Sequence, residues 1–278
     1  MKLVHTLLLF LRDDRRDEDV SMASKALRSL EKSGSKTVVV YNQGFWEREE
    51  AEDFLGRFDL DCVLIGSGEN EGIVVGRQKC FEYIWQVLPD TEYISEIHMD
   101  MIFTENWDLP LINYLESTDE PVISCGIVDQ NGAVSGLKQN LETLPADIEG
   151  LRECLNRWKR DLIIPGFTHP CIHKSNIMRA VGGYDARFMS GKQGFEDDSL
   201  LLGYYYYLGT KAGWKPKICC KSMVYHAVAG QRLTVSGNTA VNFSGLVKQY
   251  GLMGLKHLSE LHTSQWHIDF FAENYKWL

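Results

Sequence analysis

Three consecutive acids, Glu196-Asp197-Asp198, stand at the head of an apolar and aromatic stretch that runs to Gly209. A double glycine, Gly182-Gly183, and the pair Tyr184-Asp185 precede them. Carboxylates at the mouth of an apolar helix, just after glycine-rich loops, suit a pocket that handles polar groups. The same acids also have a local use, because acids in a first helical turn complement the helix dipole and satisfy its free N–H groups. The two uses are compatible. A second acidic stretch, Glu96-Ile97-His98-Met99-Asp100, ends a predicted strand, and the plain reading of Asp100 alone is a turn acid. Earlier in the chain, Asn70-Glu71-Gly72 leads into Gly76-Arg77-Gln78. A glycine turn entering a helix lets backbone approach a nucleotide, and an arginine adds charge. A turn with a helix cap explains the same residues. Tyr225-His226 ends another predicted strand, and one histidine of eight is by itself a core or surface residue. The run Tyr204–Tyr207 makes no sugar-stacking platform, because four consecutive helical residues point in four directions. It reads as core packing with one or two exposed rings.

The elements that must position these groups alternate. Leu3–Leu11 reads as a buried first strand. Val20–Lys32 reads as a helix, with Met22, Ala23, Ala26, Leu27 and Leu30 at helical spacing and Gly34 as its stop. Thr37–Tyr41 is a β-branched strand of the buried type. Glu47–Phe58 follows as a helix, Cys62–Ile65 as a short strand, Ile73–Val87 as a helix stopped by Pro89, and Tyr93–His98 as a fourth strand. Such alternation predicts a doubly wound, mostly parallel sheet with ligands at the carboxyl ends of its strands. That would bring Asn42, Gly66–Gly72 and His98–Asp100 together. In the second half, Pro121–Val128, Thr168–His173 and Ile218–His226 read as strands and Asp147–Arg160 as a helix, while Leu137–Thr143 is ambiguous. Residues 227–238 read as a loop and Val241–Leu278 as a helical tail carrying Trp266 and Trp277. There is no internal repeat and no low-complexity segment.

A chain of 278 residues can bury one large core or two fused half-domains. Its 44% hydrophobic and 24% charged residues are those of a soluble globular protein. A net charge of −9 argues against a nucleic-acid partner, which needs clustered Lys and Arg. It leaves room for a small phosphorylated ligand held by local groups. The apolar run at Leu3 is too short to cross a bilayer. The dense charge of Arg12 to Asp19 follows it without a small-residue cleavage site, so neither a transmembrane segment nor a signal peptide is expected. Seven cysteines without C-x-x-C spacing indicate neither a disulfide framework nor a zinc site. A reducing, cytoplasmic setting is the default expectation.

The order of residues from Lys174 to Gly209 resembles the GG-[FY]-D … G-x-E-D-x-[DE]-L region of family 2 glycosyltransferases, which have the GT-A fold. The resemblance spans residues 1–251 and is densest at 174–209. It implies an α/β, GT-A, Rossmann-like fold: a mixed, mostly parallel sheet flanked by helices. The implied domains are a catalytic domain over 1–237, with a nucleotide-binding half at 1–118 and an acceptor-binding half at 119–237, and a short helical extension over 238–278. By motif position Asp197 would be the general base, taking the proton of an acceptor hydroxyl as that oxygen attacks the anomeric carbon. Neighbouring acids and partial burial would raise its pKa, as the role requires. Glu196 beside it would bind the acceptor. Asp100 stands at the last Asp of the family's D-x-D motif, which binds a divalent cation and through it the nucleotide diphosphate. His98 stands where the first Asp would be, and Trp107 keeps the family's spacing to a following tryptophan. His226 falls where the family has a C-terminal metal ligand. Carboxylate and neutral imidazole suit Mn²⁺, or Mg²⁺. Asn42, Asn70, Gly72, Arg77, His98 and Arg232 would bind the nucleotide sugar, with Gln231 and Arg232 closing over the diphosphate. Asn242 and Val247–Gly251 resemble the family's N … f-x-K-[WY]-G ending.

The resemblance therefore implies a metal-dependent, inverting glycosyltransferase. The donor would be a nucleotide diphosphate sugar, a UDP-sugar by family frequency, and the acceptor a hydroxyl of a glycan, lipid or protein, with peripheral membrane contact compatible. Tyr41 replaces an acid of the family pattern, Ser199 and Gly203 replace an acid and an arginine, and Phe10–Asp14 replaces the family's usual opening. The His98, Tyr41 and Ser199 departures support the alternative of a catalytically decayed nucleotide-sugar-binding protein on the same fold, and the retention of Asp100, Asp197 and His226 argues against it. A sugar-nucleotide pyrophosphorylase would carry a glycine-rich basic loop after its first strand, and Arg12–Asp19 has no glycine.

Overall fold

The computed structural model of the chain describes residues 2–44, 46–135, 143–227 and 236–276, with backbone alone at 236–238. The apolar runs of the first half form β1 (Leu3–Leu9), β2 (Thr37–Asn42) and β3 (Asp61–Ile65), paired parallel in that order. β4 (Tyr93–Ile97) lies parallel on the other side of β1. Side chains alternate between the faces. Leu3, Leu7, Leu9, Val38 and Val40 join one apolar cluster, and Val4, Val39 and Tyr41 join the other. This is the period of strands covered on both sides. His5 and Thr6, the polar break in the first apolar run, are fully buried. His5 Nδ1 lies 2.6 Å from Ser95 Oγ, and Thr6 Oγ1 donates to Ser95 O at 2.8 Å. Leaving such groups unpaired would cost about 1–3 kcal/mol each, so the pairs pin β1 to β4.

Helices α1 (Arg16–Leu30), α2 (Arg48–Leu55) and α3 (Ile73–Val87) fill the connections. α1 begins four residues before its apolar spacing does. The buried Asp19 accepts from Arg12 N at 2.7 Å and pairs with the Arg12 guanidinium at 2.7 Å, which orders the charged entry segment.

The second half departs from the doubly wound pattern. The remaining strands are β5 (Met101–Phe103), β6 (Val122–Val128), β7 (Ile163–Pro165), β8 (Cys171–Lys174) and β9 (Lys217–His226). β8 runs antiparallel to both β4 and β6, β9 runs parallel to β6, and β5 and β7 run antiparallel to β9. The order across the sheet is β3-β2-β1-β4-β8-β6-β9-β5, so it is mixed, with its parallel block in the first half. β5, β7 and α4 (Leu109–Glu116) are not expected from the sequence. Both strands are only three residues long, and α4 is an eight-residue helix with proline in its first turn.

The later helices are α5 (Ile148–Trp158), α6 (Ser175–Val181), α7 (Glu196–Tyr207), α8 (Ser236–Leu261) and α9 (Gln265–Tyr275). α8 starts inside the segment expected to be a loop, and it is broken at Gly251, where φ is 65°. Leu246, Leu255, Leu258, Leu261 and Phe271 share one buried cluster with Phe81 of α3 and Leu201 of α7, so the C-terminal helices help close that face of the sheet. Tyr204 and Tyr205 are buried while Tyr206 and Tyr207 are exposed, as expected for a run that packs rather than stacks. Among the described residues no helix is long and apolar enough to cross a membrane.

Candidate active site

The C-terminal ends of β4 and β9 meet the start of α7 around a cavity of about 520 Å³. β5 pairs with β9 so that Met101 faces His226, and Ala227 N donates to Asp100 O at 3.0 Å. This register places His226 Nε2 3.3 Å from Asp100 Oδ1 and 3.3 Å from His98 Nδ1. The His226 Nδ1 atom is buried without a hydrogen-bond partner among the described residues. His169 stacks on His98, with centroids 4.9 Å apart and planes at 27°. Burial, and then neighbouring His169, His226 and Arg77, hold His98 well below the usual histidine range. His169 is also lowered, mainly by burial. Imidazoles beside a carboxylate are a donor set that fits a divalent cation.

The acids at α7 are aimed by a loop stapled to the C-terminal helices. Asn242 of α8 accepts from Gly191 N at 2.6 Å and donates to Gly194 O at 2.8 Å. Phe195, the residue before α7, has φ 63°, a conformation that costs a non-glycine residue about 1–3 kcal/mol. Its ring packs against Phe243, Phe270 and Phe271 at 5.2, 5.8 and 6.1 Å. Glu196 and Asp197 then line the cavity in the positive first turn of the helix. Asp198 also lines the cavity, but its Oδ1 lies 2.6 Å from His262 Nε2 at the end of α8.

Asp197 presents 40% of its side chain to the cavity. Withdrawal from bulk water raises its pKa, and the charges of Glu96 and Asp198 raise it further, against His169 and a hydrogen bond from Tyr184. Glu196 is pushed up to about 8 by burial and by Asp197. Two adjacent carboxyls in one first turn do not both ionise freely. The Tyr184 hydroxyl lies 3.3 Å from Asp197 Oδ1 and 3.1 and 3.0 Å from the two Glu96 oxygens, so its one proton serves both acids. Glu96 is fully buried on β4. Burial alone would raise it, but a hydrogen bond from His173 and the charges of His173, His169 and Arg77 outweigh that and hold it at about 2.

On the other wall, Gly72 sits at φ 90°, and a Cβ there would come 2.8 Å from Lys192 Cα. Ile73 N donates to Lys192 O at 2.8 Å, and Asn70 Oδ1 accepts from Gly72 N at 3.0 Å. The glycine turn expected to meet a nucleotide is thus docked on the loop that carries the acids. Of the site residues expected from the sequence, Asn70, Gly72, Arg77, His98, Asp100, Glu196, Asp197 and His226 line this one cavity. Asn42 does not. Its side chain is buried and donates to Trp46 O at 2.8 Å, closing its own turn. Arg77 lines the cavity but is almost fully buried. Its guanidinium donates to Thr6 O, to Thr6 Oγ1 at 2.8 Å and to Ile97 O at 2.6 Å, and lies 3.5 Å from Glu96. Arg232 lies outside the described residues. Tyr41, which stands in place of the acid of the family pattern, donates to Glu71, which Lys79 also holds at 2.7 Å.

Gln43, His169, Tyr184, Lys192 and Trp266 are among the cavity residues that were not expected as site residues. Tyr184 was visible as the aromatic of the double-glycine motif. Gln43 was visible only as the neighbour of Asn42, and its Oε1 is buried without a hydrogen-bond partner among the described residues. Nothing local marks His169 or Lys192.

No model of a known protein family matches the chain, and no curated protein matches it. Solved structures do. S. aureus TarS 1-349 in complex with UDP-GlcNAc aligns at 10% identity and TM-score 0.55 over 99% of this chain and 71% of that one. The same TarS fragment in complex with UDP gives 10% and 0.55 over 99% and 70%. A longer TarS structure gives 9% and 0.52 over 99% of this chain and 43% of its own. The fold is GT-A-like. At such identities the likeness carries the arrangement of strands and helices, and the chemistry rests on the residues of this cavity.

Proposed function

We propose that the chain is a metal-dependent, inverting glycosyltransferase that moves a sugar from a UDP-sugar to an acceptor hydroxyl. The main support is one juxtaposition. Asp197 and the His98–Asp100–His226 group come from three separate element ends, yet they meet in one cavity. His169 links them, 3.7 Å from Asp197 and stacked on His98. A base facing a cation site across a cavity wide enough for a sugar suits displacement of a diphosphate. TarS, crystallised in this fold with UDP-GlcNAc, supports the donor class.

In this reading Asp100 and His226 would hold Mn²⁺, or Mg²⁺, which would supply Lewis-acid charge to neutralise a leaving diphosphate. Asn70, the Gly72 backbone and Lys192 border the donor, and the orphaned Gln43 Oε1 is an acceptor for the N–H of a uracil. Asp197 takes the proton of the acceptor hydroxyl. That oxygen bonds to the anomeric carbon from the face opposite the diphosphate, and the old C–O bond breaks with its electron pair on the phosphate oxygen. Glu196 and the exposed ring of Trp266 border the acceptor side. In this reading residues 1–118 form the nucleotide-binding half, 119–237 the acceptor-binding half, which also lends Lys192 and His226 to the donor side, and 238–278 a helical extension.

The test is Asp197→Asn, assayed as UDP release from UDP-GlcNAc, UDP-glucose and UDP-galactose with Mn²⁺. Loss of a positioned base costs roughly 10²–10⁴ in turnover, while Mn²⁺–UDP affinity should stay within about threefold because the carboxylate acts on the acceptor. Turnover near that of the wild type would remove Asp197 from the role.

A further inference from the structure

We infer that His98 is itself a metal ligand, so that the cation site is a two-imidazole, one-carboxylate centre that disfavours Mg²⁺. The inference rests on the cation reading above and adds a ligand to it. Three donor atoms, His98 Nδ1, Asp100 Oδ1 and His226 Nε2, converge from two strand ends. His226 Nε2 stands 3.3 Å from each of the other two, too far for strong hydrogen bonds to both and more than one ring proton can serve. The spacing is that of ligands on a common ion. Two donors each about 2.1 Å from one metal and at right angles to one another lie about 3.0 Å apart.

The His98 ring is also held as a ligand must be. His169 stacks on one face, the His226 ring meets it edge-on at 5.1 Å between centroids, and β4 ends in a buried run that fixes its backbone. These ring contacts restrict its rotation, the service that outer hydrogen bonds give other metal-binding histidines. The consequence is selectivity. Mg²⁺ prefers oxygen and gives up water reluctantly, whereas imidazole suits the later divalent transition metals. A histidine at the first position of an H-x-D motif therefore moves the centre away from Mg²⁺ and toward Mn²⁺ and Co²⁺.

The experiment uses the full chain stripped of metal with EDTA and titrated with Mn²⁺, Co²⁺ and Mg²⁺, alone and with UDP. Free Mn²⁺ is followed by EPR, and the bound Mn²⁺ is examined by pulsed EPR for nitrogen couplings. Two imidazole nitrogens are expected on the bound ion in the wild type and one in H98D. H98D should lower the preference for Co²⁺ over Mg²⁺ by at least tenfold, and H98A should weaken Mn²⁺ at least tenfold. One nitrogen in the wild type, or H98A with unchanged Mn²⁺ affinity, would overturn the role of His98 while leaving a cation site at Asp100 and His226. No Mn²⁺ binding to the wild type, with or without UDP, would overturn the cation reading as well. The wild-type nitrogen count decides the matter even if both variants fail to fold.

Discussion

Arg77 is the residue on which the sequence pattern and the folded geometry diverge most, and Arg77→Met separates them. By pattern it is a nucleotide contact; in the fold it is 1% exposed and tied to backbone. Methionine keeps the apolar stem and removes every donor. Two buried carbonyls, Thr6 O and Ile97 O, then lose charge-assisted partners, and such bonds are worth about 1.5–3 kcal/mol each. Glu96, also 1% exposed, loses a cation 3.5 Å away but keeps His173 at 3.0 Å. These bonds and the ion pair belong to one guanidinium and do not add; the cost of breaking a buried ion pair, about 3–5 kcal/mol, sets the scale, and the expected loss is about 4 kcal/mol. Total stabilities run about 5–15 kcal/mol, so the variant should fold and unfold at clearly lower urea. The assay is paired: urea unfolding followed by circular dichroism, and Mn²⁺–UDP binding by calorimetry at low temperature. A large stability loss with UDP affinity within about threefold is expected. Adding Glu96→Gln should recover part of the loss, because the uncompensated buried charge is then gone. A stability loss below about 1 kcal/mol with UDP affinity down by more than tenfold would refute the reasoning and return Arg77 to the ligand.

Three further predictions concern protons. Glu96 is depressed from an ordinary 4.5 to about 2, so its contribution is fully present above pH 4.5 and is lost as pH falls toward 2. The shift corresponds to about 3 kcal/mol, and Glu96→Gln should flatten acid unfolding across that window; an unchanged acid limb would contradict the assignment. Glu196 has the opposite sign. Raised to about 8, it costs stability progressively as pH rises from about 4.5 through 8, so Glu196→Gln should be more stable than the wild type at pH 9 and equal to it at pH 4. Equal thermal midpoints at both pH values would count against the half-buried, proton-bearing Glu196. Tyr184→Phe removes a hydrogen bond that lowers Asp197, so the acid limb of the pH–rate profile for UDP release should move to higher pH. A limb that stays in place would mean that Tyr184 does not reach the base.

Periodicity and punctuation located most elements. Ile73–Val87 is a helix at both expected ends, and Val122–Val128 and the strand ending at His226 fall within a residue of expectation. Motif order placed Asp100, Asp197 and His226 around one cavity. What local pattern does not carry is the direction in which a polar side chain points. Asn42 and Arg77 have the right types at the right spacing, yet both turn inward: Asn42 closes its own turn onto Trp46 O, and the partners of Arg77 are decided by strand pairing. Thr6 lies 71 residues from Arg77 and Ile97 lies 20. The antiparallel insertion of β8 between β4 and β6 is equally nonlocal, and it alone brings His173 to Glu96.

The inward turn of Arg77 did leave a trace in the sequence. Thr6 and Glu96 interrupt, with His5 and Ser95, two strands built to be buried on both faces, and they pair directly with one another across β1 and β4. A carboxylate in such a strand must be neutralised from within the fold, because the cost of burying it alone exceeds what any single contact returns. An acid and a hydroxyl facing one another on adjacent buried strands therefore call for an internal cation, and among the described residues Arg77 is the arginine that reaches both. The polar residues of the core, more than the arginine's own neighbours in sequence, indicate that it serves the scaffold that carries His98 and Asp100.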